Sequence, residues 1–360
     1  MIANRSAKWA VAALTASVGL ALAVAPAQAQ QLPRVNWKMQ SAFGSNLPHL
    51  GPPGQRFEKD VAEMTDGRFV IKFHEPGALV PTLECFDAAS KGSVDACWTT
   101  PGFHAGKYPV LAFFTTVPFG PQLGEFMAWK KFGNGNKLEQ EIYAKHGLMS
   151  FDAYAIGPET SGWFRREITS LDQLKGLKMR FFGLGAKVMQ KLGVSTQLLA
   201  PADIFPALER GVIDATEFSM PAMDIKQGFH QVAKFNYFPG WHQQISLNHI
   251  LINKKAFDAL PKSYKKMIEM AAGHQLLHNY AESESTNFGA MAEMTGKHGV
   301  QIKRWTDDQI AVFEKTWLEV IKEESAKDPL FKQISDDYLA FRAKYKIWGD
   351  AQTVKPTYLK

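Results

Sequence analysis

From residue 35 onwards, short apolar runs alternate with amphipathic stretches in which apolar residues recur every three or four positions. The turn Asp66-Gly67 and the glycines Gly92 and Gly211 separate some of these stretches. An apolar run bounded by turn residues is typical of a strand, and an amphipathic stretch that ends at glycine is typical of a helix. The pattern predicts strands at 35–42, 68–73, 94–99, 177–182, 194–199 and 212–218, and helices at 49–64, 83–91, 185–192 and 202–210.

This alternation predicts sheets whose strands are mostly parallel and whose two faces are both covered. The last third of the chain differs, because residues 261–294 carry one long, nearly uninterrupted helical pattern. A strand at 300–305 and helices at 307–327 and 329–345 follow it. Since the stretch 110–164 separates two strand–helix blocks, we predict an α/β fold of two lobes, with the long helix lying across both.

The space between two such lobes, at the carboxyl ends of the strands, is the expected ligand site. The N-terminal lobe is predicted to comprise residues 30–154 and about 248–290. The C-terminal lobe is predicted to comprise residues 155–247 and about 291–360.

The first 29 residues have the features of a secretory signal peptide. Arg5 and Lys8 give a basic start, an apolar run follows over 10–25, and Ala27-Gln28-Ala29 forms a small-residue cleavage site. An uncleaved membrane anchor is the alternative, but the apolar run is slightly short for a membrane span. We therefore expect a mature protein in the periplasm, without residues 1–29.

Composition narrows the class of protein further. The chain has 360 residues, 46% of them hydrophobic, which is enough for about two globular domains and argues against disordered and fibrous classes. The 41 basic and 35 acidic residues leave a charge of only +6 without a Lys/Arg block, so we expect no nucleic-acid partner.

Cys85 lies on a predicted helix and Cys97 on the next strand, and the spacing of packed layers favours separate thiols over a disulfide.

Known catalytic motifs are absent from the sequence. It contains no G-x-S-x-G, H-E-x-x-H, Walker A or C-x-x-C pattern. His274, His278 and Glu282 share one face of the long predicted helix, but the general-base glutamate of a zinc hydrolase is missing between the histidines. We interpret these residues as a polar stripe on a surface helix, and we expect a protein that is not an enzyme.

Four segments together resemble one family of receptors. They are Leu171-x-x-Leu174-Lys175-Gly176-Leu177-Lys178-Met179-Arg180, then 207–215 (ALERGVIDA), 112–120 (AFFTTVPFG) and 238–241 (FPGW). The first two resemble signatures of the solute-binding proteins of TRAP (tripartite ATP-independent periplasmic) transporters. The other two resemble the subgroup that binds 2-oxo and 2-hydroxy monocarboxylates together with a metal ion.

The resemblance implies roles for individual residues. The family arginine that holds the ligand carboxylate falls on Arg180, whose planar guanidinium suits a bidentate contact. Glu217 and Phe218 fall on the acidic and aromatic positions that bind the metal, Glu217 through its carboxylate and Phe218 through its backbone carbonyl. The Phe218 ring would also form a wall of the site, although tryptophan is commoner at that position. Gln243, two residues after Trp241, falls on a further metal-ligand position.

Glu159 lies three residues before the Gly-Trp-Phe at 162–164 and falls on a third ligand position, where the family usually has glutamine. With Glu159, Glu217 and a bound carboxylate, the site would carry three negative charges against one positive charge on Arg180. Unpaired buried charge is costly, so this balance favours calcium or another hard divalent ion, with sodium as an alternative. In the first lobe, Phe103 lies in a Pro-Gly loop and is the best candidate for a wall of the site, whereas Trp98 suits the core equally well.

The resemblance implies a periplasmic receptor that captures a small carboxylate and delivers it to the membrane subunits of a TRAP transporter. A monomer and a homodimer both fit the sequence. Three alternatives remain: a receptor that holds a cationic ligand on Glu159 and Glu217 without metal, a periplasmic hydrolase or lyase that uses Glu159 as a base, and an ABC-type receptor. The signature at 175–180 argues against the last of these.

Overall fold

The computed structural model describes residues 32–352, so the predicted signal peptide lies outside the described residues. The strands in chain order are β1 (Val35–Ser41), β2 (Phe69–His74), β3 (Ala96–Thr99), β4 (Leu148–Ile156), β5 (Gly162–Phe164), β6 (Lys178–Arg180), β7 (Ser195–Gln197), β8 (Ala215–Thr216), β9 (Phe235–Phe238), β10 (Ser246–Asn253) and β11 (Gln301–Arg304). The helices are α1 (Pro52–Met64), α2 (Cys85–Ser90), α3 (Leu123–Phe132), α4 (Gly135–Ala144), α5 (Gly185–Lys191), α6 (Pro201–Glu209), α7 (Pro221–Gln227), α8 (Lys254–Asp258), α9 (Lys262–Glu284), α10 (Asn287–His298), α11 (Asp307–Lys327) and α12 (Pro329–Gln352).

These strands form two mixed sheets. The first has the order β2-β1-β3-β10-β4, and the second has the order β11-β9-β5-β8-β6-β7. Strands joined by helical crossovers are parallel, as β1 is to β2 and β3, and β6 to β7 and β8. However, β10 is antiparallel to both its neighbours, and so is β5. Each sheet thus contains one strand that runs against all the others, and the prediction of mostly parallel sheets is confirmed. The two exceptions, β5 and β10, each follow a passage of the chain from one sheet to the other.

Each sheet draws on two separate parts of the chain. The first sheet uses strands between residues 35 and 156, together with β10, and the second uses strands between 162 and 238, together with β11. The chain crosses between the sheets at 156–162, at 238–246 and a third time between the end of β10 and the start of β11. The assignment of whole lobes to 30–154 with 248–290 and to 155–247 with 291–360 stays a prediction.

The predicted long helix is two helices. The helix α9 ends at Glu284, α10 begins at Asn287, and the break falls on Ser285 and Thr286. The hydroxyl of Ser285 donates to the carbonyl of Glu282, and the hydroxyl of Thr286 donates to the carbonyl of Ser283 at 3.0 Å. Such side-chain bonds compete with the helical backbone ladder. The helix α9 packs on β4 and α1, whereas α10 packs on α7, so the break lets the chain cover two different surfaces.

The last helix, α12, is longer than the predicted span of 329–345. Its apolar face packs against the segment 109–132, where Phe331 lies edge-on to Phe113 and Tyr338 lies edge-on to Trp129. Trp129 also donates its indole N–H to Asp337 at 2.8 Å.

Among the residues described, none of the helices has both the length and the apolar character needed to cross a lipid bilayer.

Cys85 and Cys97 form a disulfide, with 6.1 Å between their Cα atoms. The expectation of separate thiols is therefore wrong. It placed Cys85 within a helix packed a full layer away from the strand, but Cys85 is the first residue of α2, and its Cα lies close enough to that of Cys97 for a disulfide. Both cysteines are buried, so the bridge ties α2 to β3 inside the core.

Replacing both cysteines with serine should therefore lower the free energy of unfolding by about 2–4 kcal/mol, the usual contribution of such a bridge. Urea unfolding of the wild type and the double variant measures this difference. The matching chemical test is alkylation of the unfolded wild-type protein. Labelling of either cysteine before reductant is added would contradict the disulfide.

A buried ionic cluster holds α3, α4 and β4 together. The ammonium of Lys130, on α3, lies 2.5 Å from Glu139 on α4 and 3.2 Å from Asp152 on β4. Lys131 approaches the other oxygen of Asp152 at 3.0 Å from the partly exposed side. Burial lowers the pKa of Lys130, but the two carboxylates outweigh burial and leave that pKa raised. The lysine therefore stays charged, and its removal would leave two buried carboxylates short of positive charge.

Lys130→Met should therefore cost about 3–5 kcal/mol of stability, as expected when one partner of a buried ion pair is removed. Lys131→Met is the matched control, because Lys131 is half exposed and contacts the same aspartate. Its cost should stay within about 1 kcal/mol. Equal losses in the two variants, measured by urea unfolding, would contradict the structural role given to the buried lysine.

Candidate functional site

Residues at the ends of strands from both sheets meet in one buried pocket. Thr100 directly follows β3 and Ile156 ends β4 in the first sheet, whereas Arg180 ends β6 and Ser219 follows β8 in the second. This is the predicted position, at the carboxyl ends of strands. The pocket is lined by Phe43, Leu50, Thr100, Phe103, Ile156, Glu159, Arg180, Phe182, Phe218, Ser219, Gln243, Ser246 and Asn248.

The structure brings the candidate site residues together. Five of them line the pocket, and the sixth, Glu217, contacts Arg180 beside it. All six are buried, namely Phe103, Glu159, Arg180, Glu217, Phe218 and Gln243. Trp98 belongs to the core instead, where its ring stacks on Tyr154 with 4.4 Å between the ring centres.

Arg180 and Glu217 form a fully buried ion pair. The arginine Nη1 donates to Oε1 of Glu217 at 2.8 Å and to the backbone carbonyl of Glu217 at 2.9 Å. The backbone N–H of Phe182 donates to the same carboxylate oxygen. Burial alone would raise the pKa of Glu217, but Arg180, followed by His242, outweighs burial and leaves the pKa lowered. Glu217 is therefore ionised, and its second oxygen, Oε2, has no hydrogen-bond partner among the described residues.

The guanidinium of Arg180 also has aromatic neighbours. Its central carbon lies 5.5 Å from the ring centre of Phe218 and 5.8 Å from that of Phe182. Its Nε points to the carbonyl of Leu199 at 3.5 Å, so the hydrogen bonds found within residues 32–352 use Nε and Nη1. The second terminal nitrogen, Nη2, makes none of these hydrogen bonds.

Glu159 enters the pocket from the segment between β4 and β5. Its Oε1 accepts a hydrogen bond from the Ser246 hydroxyl at 3.1 Å, and Ser246 in turn accepts one from the amide of Gln243. Burial raises the pKa of Glu159 well above its usual range, and repulsion from Glu217 and Asp224 adds to the effect. The Oε2 atom of Glu159 and the Oε1 atom of Gln243 are buried without a hydrogen-bond partner in the described part of the chain.

Asp224 lies behind the pocket and supports its wall. It accepts hydrogen bonds from the indole N–H of Trp163 at 2.7 Å and from the backbone N–H of Ser219 at 3.1 Å. Burial raises the pKa of Asp224 to about 7, although the bond from Trp163 opposes that shift. The backbone bond fixes Ser219 at the edge of the pocket. Nothing in the local sequence around Asp224 indicated this contact.

His242 is the residue of the site that the sequence did not reveal. Its Nε2 lies 3.7 Å from Oε2 of Glu217 and 3.9 Å from Oε2 of Glu159, and the ring is buried. Ligand atoms of these three residues lie within 4.8 Å of one another, close enough to hold one metal ion. His242 stands alone in the sequence, with no spacing that links it to 159 or 217. The only available signal was its place beside Gln243.

Two glycines allow close approaches around the pocket. A Cβ atom at Gly240 would lie 2.1 Å from the backbone oxygen of Glu159, so only glycine lets the loop before His242 pack on the Glu159 segment. A Cβ atom at Gly102 would lie 2.1 Å from the ring of Phe182. This second contact joins a loop of the first sheet to a loop of the second, and it allows the Phe103 ring to meet the Phe182 ring edge-on at 5.6 Å.

Gly240→Ala should therefore lower stability by about 1–3 kcal/mol, the usual cost of overpacking, because the added methyl group meets backbone rather than a flexible side chain. Gly106→Ala is the control, since a Cβ atom there has no neighbour within 4 Å. The melting temperatures of the two variants measure the difference. A Gly240→Ala protein as stable as Gly106→Ala would contradict the close approach.

Comparison with known proteins identifies the family. Residues 47–328 match the family described as bacterial extracellular solute-binding protein, family 7. A monocarboxylate 2-oxoacid-binding periplasmic protein of Nostoc sp. is 36% identical over 319 residues, which cover 88% of this chain and 87% of that protein. The chain thus belongs to this family of extracellular solute-binding proteins, and the resemblance found in the sequence is confirmed.

Solved structures agree with this assignment. A TRAP transporter solute-binding protein from Bordetella bronchiseptica has a TM-score of 0.86 at 32% identity, covering 89% of this chain and 95% of its own, and is described as a dimer with copurified calcium and picolinate. One from Pseudoalteromonas atlantica has a TM-score of 0.85 at 30% identity, covering 89% and 97%, with bound sodium and pyruvate. The predicted two-lobed α/β fold is confirmed. The enzyme and ABC-type alternatives gain no support.

Proposed function

We propose that this TRAP solute receptor binds a 2-oxo or 2-hydroxy monocarboxylate together with a metal ion, for which calcium is the best candidate. One observation carries the proposal. Buried acceptor atoms without hydrogen-bond partners, Oε2 of Glu159, Oε2 of Glu217 and Oε1 of Gln243, lie beside the Arg180 guanidinium. Buried acceptors without partners are rare and costly in native proteins, so a cation between them would account for their arrangement.

The donor set fits a hard cation. Carboxylate, amide and backbone carbonyl oxygens are the usual ligands of Ca²⁺. In our proposal Glu159, Glu217, Gln243 and the backbone carbonyl of Phe218 hold the ion. With an anionic ligand bound, the two glutamates and the ligand carry three negative charges, and Arg180 with a divalent ion balances them. Sodium would leave one negative charge buried, which is less favourable.

The bound ion would supply positive charge shared by the carboxylate and the neighbouring oxygen of the ligand. This is why the proposed cargo carries an oxygen on the carbon next to its carboxylate. Arg180 would bind the carboxylate through Nη2, since Nη1 and Nε already have partners. The rings of Phe103 and Phe218 would form apolar walls against the rest of the molecule. No residue in this assignment makes or breaks a bond of the ligand.

The cellular setting belongs to the same proposal. The signal-peptide pattern of residues 1–29 and the description of the Nostoc relative as periplasmic both support a periplasmic location. The partners would be the membrane subunits of a TRAP transporter, which receive the cargo. The Bordetella protein is described as a dimer, so both a homodimer and a monomer are compatible with the proposal.

The direct test is a thermal-shift and calorimetric screen of metal-stripped protein against pyruvate, lactate and 2-oxovalerate. A ligand at about 100 times its Kd should add about 2.7 kcal/mol to stability. We expect stabilisation with Ca²⁺ present and loss of that stabilisation with EDTA. Acetate and propionate should not stabilise the protein, because they lack an oxygen on the carbon next to the carboxylate. Stabilisation that persists in EDTA would remove the metal from the proposal, and stabilisation by amines alone would favour a cationic ligand.

Arg180→Lys tests the carboxylate contact without removing the charge that neutralises Glu217. Arginine can bind Glu217 through Nη1 and the ligand through Nη2, whereas a single ammonium group cannot reach both positions, so the Kd for pyruvate should rise at least tenfold. Arg166→Lys, at an exposed position outside the pocket, is the matched control and should bind as the wild type does. Calorimetry with Ca²⁺ in excess measures both. Wild-type affinity in Arg180→Lys would show that the ligand is held elsewhere.

A further inference from the structure

His242 is fixed in place by its neighbours. Its ring packs against Phe181 and Trp241, with ring centres 4.9 and 5.6 Å away. The start of α5 adds to the packing, because a Cβ atom at Gly185 would lie 2.8 Å from Cβ of His242. With only 1% of the side chain exposed, the ring cannot turn towards solvent without disturbing this packing. Nε2 therefore stays directed at the two glutamates.

The histidine faces two carboxylates without a hydrogen bond to either. Its Nε2 lies 3.7 Å from Oε2 of Glu217 and 3.9 Å from Oε2 of Glu159, which is within ion-pair distance but beyond hydrogen-bond distance. Both ring nitrogens and both of these oxygens lack a hydrogen-bond partner within the described chain. Three buried polar atoms thus lie around one position with no hydrogen bond between them, and an atom bound to all three would occupy that position.

The spacing fits an ion with bonds of intermediate length. Two ligands bound at about 2.2–2.4 Å and at angles of 90–110° lie roughly 3.1–3.9 Å apart. A tetrahedral zinc site, with bonds of about 2.0–2.1 Å, would bring them to roughly 3.4 Å. The observed separations of 3.7 and 3.9 Å suit an ion larger than zinc.

The nitrogen changes the relative affinity of the site for ions of that size. Calcium and sodium take oxygen ligands, whereas an imidazole nitrogen favours first-row transition metals. We infer that His242 is a nitrogen ligand of the metal site, and that it raises the affinity for Mn²⁺ relative to Ca²⁺ above that of a site built from oxygen ligands alone. This inference rests on the metal site of the proposed function. It adds a ligand that neither the family resemblance nor the described relatives assign.

The first test measures the Kd values of Mn²⁺ and Ca²⁺ for metal-stripped protein by calorimetry and competition, without organic acid. In His242→Phe, which keeps a ring between Phe181 and Trp241, the ratio of the Ca²⁺ and Mn²⁺ Kd values should fall at least tenfold. An unchanged ratio would overturn the inference.

The control is His274→Gln. His274 and His278 lie four residues apart on α9, with ring centres 5.8 Å apart and both exposed, and they are the obvious source of adventitious metal binding. His274→Gln should keep the wild-type ratio of Kd values. A fall in the ratio in this variant, with none in His242→Phe, would assign the transition-metal binding to the surface pair and overturn the inference.

A second measurement needs no variant. Pulsed electron paramagnetic resonance of Mn²⁺ bound to the wild type should show coupling to an imidazole ¹⁴N nucleus, and its absence would overturn the inference even if His242→Phe fails to fold.

Different results would contradict the inference on His242 and the proposed function. A protein that binds pyruvate with Ca²⁺ but shows no nitrogen coupling keeps the proposed function and loses the role of His242. A protein that binds no 2-oxo or 2-hydroxy acid with any ion loses the proposed function.

Discussion

The buried ion pair between Arg180 and Glu217 joins the end of β6 to the end of β8 at the centre of the pocket. Each partner would be unstable there alone, because an unpaired charge in the interior is costly. The pair uses one oxygen of the glutamate and one terminal nitrogen of the arginine, and the remaining atoms are available to a ligand. Under the proposed function, stability and binding would therefore depend on the same two side chains, which is why Arg180 is better tested by lysine than by alanine.

The pocket divides into a charged half and an apolar half. Arg180, Glu159 and Gln243 belong to the first, while Phe43, Phe103 and Phe218 belong to the second. The polar half is not formed by the second sheet alone, because Ser246 and Asn248 of β10, in the first sheet, also line it. The polar side of the site thus requires the crossing segments 156–162 and 238–246 to be correctly placed.

Much of the fold followed from periodicity, because helices such as α1, α5, α6 and α11 and strands such as β1 and β2 have local signals. What periodicity did not predict has non-local causes. The reversed direction of β5 and β10 depends on which sheet the chain has just left, and the Cys85–Cys97 bridge, which was not expected, depends on where α2 begins. For the site, resemblance supplied Arg180, Glu217 and Gln243, but no sequence spacing connects His242 with Glu159 or Asp224 with Trp163.

The direct contact between the Phe103 and Phe182 rings affects the two loops that carry them. Phe103 follows β3 in the first sheet, Phe182 follows β6 in the second, and the ring centres lie 5.6 Å apart. Moving these loops apart would expose both rings to water, which is unfavourable whether or not a ligand is present. Substitutions at these two positions would therefore change how readily the loops separate while leaving Arg180, Glu159 and Gln243 unchanged.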